Sequence, residues 1–369
     1  MEKKDIKIYV EKDWLSGDSC LFMIQNPFEK ATLKSKLSGL RKKFVQKLED
    51  EGYAVVYKLD DVTDDTIYLS MEPTALGPLD LDEKEYKRLF DEKMASSGGE
   101  NFNYPSTASL TDYFEEPFFP AVFKNELTNG GEDKFLIENA EQLEKIKDFY
   151  SKYKDKEPYK SNFNFVVFQQ YIETPSDYKT YLRVLAGGNG EPLGASLKYS
   201  ARSTGKANGF SLFENVFLNP ESEYFIGAEK MFNYYSGGEN INFPQPRYSA
   251  EKQRVLRDHG FDDENPEIPA EVLDVCRNIM LGCNPELGVL CGFDFMLNKY
   301  DGKWYYLENQ AFPAIEEWAA RKGVSLPSSH STKGYLQYLE LELQARSDAL
   351  KLAVNEKLNE NTGKVLKKI

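Results

Sequence analysis

Histidine is almost absent: His259 and His330 are the only two in 369 residues, and both fall in polar stretches. Zinc sites and Ser/His or Cys/His nucleophile relays lean on histidine, so its scarcity disfavours them. Cysteine is thin as well. Cys20, Cys276, Cys283 and Cys291 show no C-x-x-C spacing, and most sit among apolar neighbours, as reduced core thiols do. No stretch approaches the roughly 18 uninterrupted apolar residues of a membrane-spanning helix, and the opening MEKKDIKIYVEKDW has no apolar signal core, which together predict a cytoplasmic protein. Positive charge is in deficit, with 46 Lys and Arg against 60 Asp and Glu and a formal charge of −14. A broad nucleic-acid or anionic-membrane surface needs a basic face, so neither partner is expected.

Chemistry is thus left to carboxylates, lysines and arginines. The chain is long enough for two or three domains with sizeable cores, despite a mean hydropathy of −0.57. IKIYV (6–10) alternates as a strand, KATLKSKLSGLRKKFVQKLEDEG (30–52) has helical apolar spacing and stops at Gly52, and YAVVYKL and TIYLSM read as two more strands. These make an α/β unit over residues 1–95, closed by the Ser-, Gly- and Asn-rich MASSGGENFNYPST (94–107). A second unit, 96–170, holds strand FFPAVFK, turn NELTNGGED, strand KFLIE, a helix N-capped by Asn139, and strand NFVVFQQYIE. A third, 171–330, holds strands TYLRVLAGG and GASLKYSAR, a loop-rich stretch (203–250), a helix, and the hairpin CGFDFMLNKYDGKWYYLEN. That helix should bury Val272, Val275, Cys276, Ile279 and Met280. Residues 331–369 read as a polar helix pair with a solvated structural role.

Several charges stand where apolar residues dominate. YYLENQAFP (305–313) ends an aromatic strand on Glu308, Asn309 and Gln310. A buried carboxylate is costly unless something pairs with it, and a metal ion suits that role. Across the hairpin lies Asp294. If Asp301-Gly302 is a two-residue turn, Asp294 faces Asn309; if Tyr300, Asp301 and Gly302 form a three-residue loop with Gly302 left-handed, it faces Glu308. Only the second register puts Asp294, Glu308 and Gln310 on one face, a set of hard oxygen ligands suited to Mg2+ on phosphates. Lys124 ends an apolar strand before Thr128-Asn129-Gly130-Gly131, whose backbone N–H groups could approach an anion. P-loop spacing is lacking, and an ordinary hairpin beside a lysine is the commoner meaning of such a pattern. VVFQQYIE could offer a purine a backbone edge and an apolar wall, or be a core strand reaching the surface. Arg183 and Lys198, inside apolar strands, need compensation from a polyphosphate or from a neighbouring carboxylate.

In order, these features are a lysine closing P-x-V-x-K, a glycine-containing loop, Q-x-Y-I, an arginine strand, a cation on the next strand, and G-x-D with a hairpin to Glu308 and a proline. From Lys93 to Pro313 the order resembles the ATP-grasp superfamily of carboxylate–amine ligases. The resemblance implies an α+β, ATP-grasp-like fold: an N-terminal α/β domain, two α+β subdomains with mainly antiparallel sheets clamping a nucleotide, and C-terminal helices. It implies ATP and Mg2+, or Mn2+, as cofactors. Lys93, Lys124, Thr128, Gly130 and Gly131 would meet the phosphates, Gln169, Gln170, Tyr171 and Ile172 the adenine, and Asp177 the ribose. Arg183 and Lys198 would be the catalytic cations facing the γ-phosphate or an acyl-phosphate. Asp294 and Glu308, with Gln310 or Asn309, would hold the metal. Three departures mark a divergent branch: Gln310 where the family has asparagine, Gln170 where glutamate is frequent, and Lys198 where arginine is common, which loses bidentate phosphate recognition.

The implied activity is ligation of a carboxylate to an amine through an acyl-phosphate, on a small-molecule or peptide substrate with an amine co-substrate. A phosphotransferase of the same fold and a nucleotide-binding interaction protein without turnover are the alternatives. The acceptor pocket would be built from parts of 1–90 and 203–250, where Arg202, Lys206 and Arg247 read as solvated charges rather than substrate contacts. A homodimer would be in keeping with the resemblance.

Overall fold

The computed structural model describes residues 3–16, 27–63, 66–69, 103–125, 133–201, 211–228, 239–243, 247–282, 288–310, 314–327 and 332–366. Among them the strands form three sheets. β1 (Lys7–Tyr9) lies between β2 (Ala54–Val56) and β3 (Ile67–Tyr68), all parallel, with the helix Pro27–Asp50 as the crossover from β1 to β2. A parallel pair needs such a crossover, and it supplies the cover for one face. This is the α/β unit expected from the N-terminal sequence.

The second sheet is antiparallel, in the order β4 (Thr107–Ser109), β7 (Val166–Gln170), β5 (Ala121–Asn125), β6 (Lys134–Ile137). Alternation puts Ala121, Phe123, Phe135, Ile137, Val166 and Phe168 into one core beneath the helices Ala140–Tyr153 and Leu212–Phe217. The first of these helices starts where the sequence says it should: the Asn139 side chain accepts from Gln142 N at 3.1 Å. The second is fastened to the hairpin by buried Asp133, whose carboxylate accepts from Phe213 N and Glu214 N at 2.8 and 3.1 Å.

The third sheet is also antiparallel: β10 (Glu239–Phe243), β9 (Pro192–Ala201), β8 (Tyr178–Gly187), β11 (Leu290–Leu297), β12 (Trp304–Gln310). One face, carrying Leu182, Val184, Ala195, Leu197, Phe293 and Phe295, packs against the helices Ala250–Asp258 and Ala270–Gly282. The latter presents Val272, Val275, Cys276, Ile279 and Met280, all buried, as its spacing requires. Cys276 and Cys291 are buried, and neither is in a disulfide. The other face carries the charges.

The C-terminal stretch departs from the expected helix pair. A single helix, Thr332–Leu366, runs through it, because no proline and no glycine falls between Tyr335 and Thr362 to break it. It is also not simply solvated. Leu343, Ala345, Ala349, Leu350, Ala353 and Val354 are buried in a core shared with Ile6, Ile8 and Ile67 of the N-terminal unit and Leu185 and Leu290 of the large sheet. None of the described helices is long and apolar enough to cross a membrane.

The helix Glu316–Lys322 lies directly on β9, and Gly194 is what lets it do so. A Cβ at that position would stand 2.2 Å from the Glu317 carbonyl oxygen, a backbone atom that cannot swing away. Gly194→Ala should therefore push the helix off the sheet and cost about 1–3 kcal/mol, read as a lower urea midpoint at unchanged slope.

Buried His259 donates from Nδ1 to Val255 O at 2.8 Å, so Nε2 accepts from the Thr180 hydroxyl at 2.5 Å, which fixes the neutral tautomer. Burial lowers its pKa below the usual histidine value, against the opposing pull of the Val255 carbonyl. The unfolded chain then binds the extra proton, so this stability is complete above the ordinary value of about 6.5 and is lost as pH falls below it. Denaturant midpoints between pH 7.5 and pH 5 should fall more steeply in the wild type than in His259→Asn; equal slopes would show that the ring is not the titrating group.

Candidate functional site

The polar face of the large sheet is organised by the register of its last hairpin. Leu297, Met296 and Phe295 pair with Trp304, Tyr305 and Tyr306; the pairing then shifts by one, and Asp294 stands opposite Glu308. Leu307 is the extra residue of this β-bulge. With unbroken alternation Glu308 would share the face of Tyr306 and turn into the apolar core; the bulge reverses the period and brings it beside Asp294. The two carboxylates thus meet as the sequence suggests, by another route. The turn is neither of the two considered. Asn298 N donates to Lys303 O at 2.9 Å, so Lys299 to Gly302 form the loop, with Gly302 left-handed at φ 68°. The Asn298 side chain, accepting from Tyr300 N at 3.0 Å, opens the loop early and widens it.

Cross-strand neighbours complete the row. Arg183 on β8 pairs with Asp294 and grips it through two bonds, Nε to Oδ1 at 2.7 Å and a terminal nitrogen to Oδ2 at 2.6 Å. From the small sheet, Lys124 reaches Glu308 Oε2 at 3.2 Å and Lys134 reaches the same oxygen at 3.7 Å. The carboxylates of one sheet are therefore neutralised in part by lysines of the other. Burial alone would raise Glu308, but the charges of Lys134 and then Lys124 outweigh it and hold the carboxylate below its ordinary range. Asp294 is lifted above its range by burial, even against Arg183, and Glu308 adds to the lift. Lys134 is lowered, chiefly by burial, despite Glu308.

Lys198, on β9, is buried on the same face and lies 3.3 Å from Glu317 and 3.5 Å from Glu316 at the start of the helix Glu316–Lys322. Glu317 also accepts from Ser196 at 2.7 Å, and its second oxygen is buried without a hydrogen-bond partner. The charge of Lys198 is thus met by carboxylates, the second of the two compensations its sequence context left open.

Of the residues singled out from sequence, Lys124, Arg183, Asp294 and Glu308 are brought together, with Lys198 beside them. Asn309 and Gln310 lie on β12 with their side chains outside the described residues, as are the whole of Lys93, Thr128, Gly130, Gly131, Arg202 and Lys206. Gln169 and Gln170 end β7, and the amides of Gln170 and Tyr171 already donate to Ser106 O at 2.7 Å and Pro120 O at 3.2 Å. Ile172 is buried; Asp177 and Arg247 are exposed. Sequence reasoning missed Lys134, Glu316 and Glu317. Lys134 had a local signal, since a hairpin folding back after Lys124 places the two lysines opposite one another. Glu316 and Glu317 had none, because a distant helix delivers them.

Among the described residues no group of three or more His, Cys, Asp or Glu is set to hold a metal unaided. Two adjacent carboxylates do fit a hard divalent ion that takes its remaining oxygens from phosphate and water.

No protein-family model matches the sequence, and no curated protein matches it. Solved structures do. The chain is similar to D-alanine–D-alanine ligase from Bacillus anthracis complexed with ATP, at 12% identity over 95% of this chain and 98% of that one, with a TM-score of 0.39. It is similar to the ATP-grasp ligase PsnB complexed with its minimal precursor, at 14% identity over 90% of this chain and 78% of that one, TM-score 0.37. It is also similar to L-amino acid ligase from Bacillus licheniformis, at 15% identity over 87% of this chain and 61% of that one, TM-score 0.36. At this looseness of overlap, the site's own residues and not the likeness bear on what the chain does.

Proposed function

We propose that this chain is an ATP- and Mg2+-dependent ligase that joins a carboxylate to an amine through an acyl-phosphate, with amino acids or peptides as substrates. One observation carries the reading: two lysines of one antiparallel sheet converge on Glu308 of a second, whose cross-strand partner Asp294 is held by a buried arginine. Such a junction has the two charge types that a metal–polyphosphate complex needs, carboxylates for the ion and cations for the phosphoryl oxygens.

Asp294 and Glu308 would hold the metal, with Asn309 or Gln310 as the third ligand. Bound there, the ion would offset negative charge on the phosphates during transfer. Lys124 supplies a mobile point charge to a phosphate. Arg183, clamped in a fixed plane by Asp294, presents its remaining N–H groups in a set direction and needs no reorganisation as charge moves onto the transferred group. Lys198, held by Glu316 and Glu317, contributes a fixed positive charge at the far side of the same face. The substrate carboxylate attacks the γ-phosphorus, ADP leaves, and an amine then displaces phosphate from the acyl group to form the amide. No protein nucleophile is required, in keeping with the shortage of histidine.

The purified protein with Mg2+, offered pools of amino acids and short peptides, should release ADP only when both a carboxylate and an amine are present, with a product mass that reports condensation. Glu308→Ala should lower the rate at least about a hundredfold. Chelation with EDTA should stop turnover, and added Mg2+ should restore it. A phosphorylated product formed without any amine would replace the ligase reading with a phosphotransferase; a protein that neither turns over nor binds Mg-ATP would overturn both.

A further inference from the structure

We infer that Lys134 is an additional phosphate-binding cation of this nucleotide site, one that rests on Glu308 until the carboxylate is taken up by metal. The inference deepens the reading above and rests on it. Lys124 and Lys134 are direct cross-strand partners on β5 and β6. Like charges placed directly opposite one another destabilise a sheet, so this pair calls for an anion between them. Glu308 Oε2 is that anion here, at 3.2 Å from one ammonium and 3.7 Å from the other.

That single oxygen is shared, so Lys134 does not hold it alone. Nor is Lys134 a surface lysine held by water, for only 19% of its side chain is exposed. A divalent ion on Glu308 would compete with both lysines for the same oxygen. Lys134, largely buried, would then lose the ion pair it has here, and a phosphate oxygen is the partner that arrives with the metal. The same exchange makes the two ligands interdependent, since metal alone must displace Lys134 from Glu308.

The test is binding of mant-ADP to the full chain in the presence of Mg2+, followed by fluorescence. Lys134→Met should weaken binding about tenfold or more, as for a lost hydrogen bond to a charged group, and Lys134→Arg should keep it within the same decade. The decisive arm is the Glu308→Gln background. If Lys134 touches phosphate, adding Lys134→Met there weakens binding further; if it only positions Glu308, the double variant binds as the single one does, and the inference fails. Unchanged affinity in Lys134→Met, with the wild type binding, also overturns it while leaving the proposed function intact. A wild type that binds no mant-ADP removes both. Lys134→Gln, with thermal melts of every variant, stands in should the methionine form not fold.

Discussion

Asp294 and Glu308 are like charges held side by side on neighbouring strands, and the polar face of the large sheet is arranged around that repulsion. Arg183 answers Asp294 from within the sheet, the lysines of the small sheet answer Glu308 from outside it, and Lys198 answers the separate pair Glu316 and Glu317. None of these contacts is a cheap route to stability. Removing charges from water costs several kcal/mol per ion, and a well-packed apolar set of similar volume is often as stable or more so. Their presence on one face, with an apolar core on the other, is better explained by what they can exchange than by what they hold.

The bulge at Leu307 shows how little backbone this arrangement requires. A single additional residue separates a sheet with one carboxylate on its polar face from a sheet with two, because the side-chain period of a strand is two. The same residue lets the aromatic half of β12, Trp304 and Tyr306, remain in the core beside Phe261 and Phe295. One strand thereby serves packing at one end and charge at the other.

Much of this was legible in the sequence, for reasons that can be named. Apolar spacing located the helix Ala270–Gly282, and a capping residue located the start of Ala140–Tyr153, whereas neither turn considered for the last hairpin is the one formed. The bulge was not legible, since a one-residue insertion leaves no mark on composition and the Asn298 side chain that widens the turn competes with several equally good local choices. The burial of the C-terminal helix was missed because 331–369 was read as a polar, solvated helix pair, whereas its positions from Leu343 to Val354 face two other units. Lys134 needed a pairing, and Glu316 and Glu317 a tertiary contact through Gly194, before either had any meaning.

Among the described residues, the core of the small sheet is separate from the other two. Its contacts with the large sheet gather at the β11–β12 hairpin: Tyr306 N donates to Asn103 O at 2.9 Å, Lys299 N donates to Glu173 O at 2.8 Å, and Lys124 and Lys134 reach Glu308. Mechanically, the hairpin is then a fastening: among the described residues these bonds join it to the small sheet and the segments flanking that sheet. The ring of Tyr104 also packs on buried Tyr306, with 6.1 Å between centroids, so the fastening is part polar and part apolar. The charges at the site thus also help set how firmly the two halves are held together.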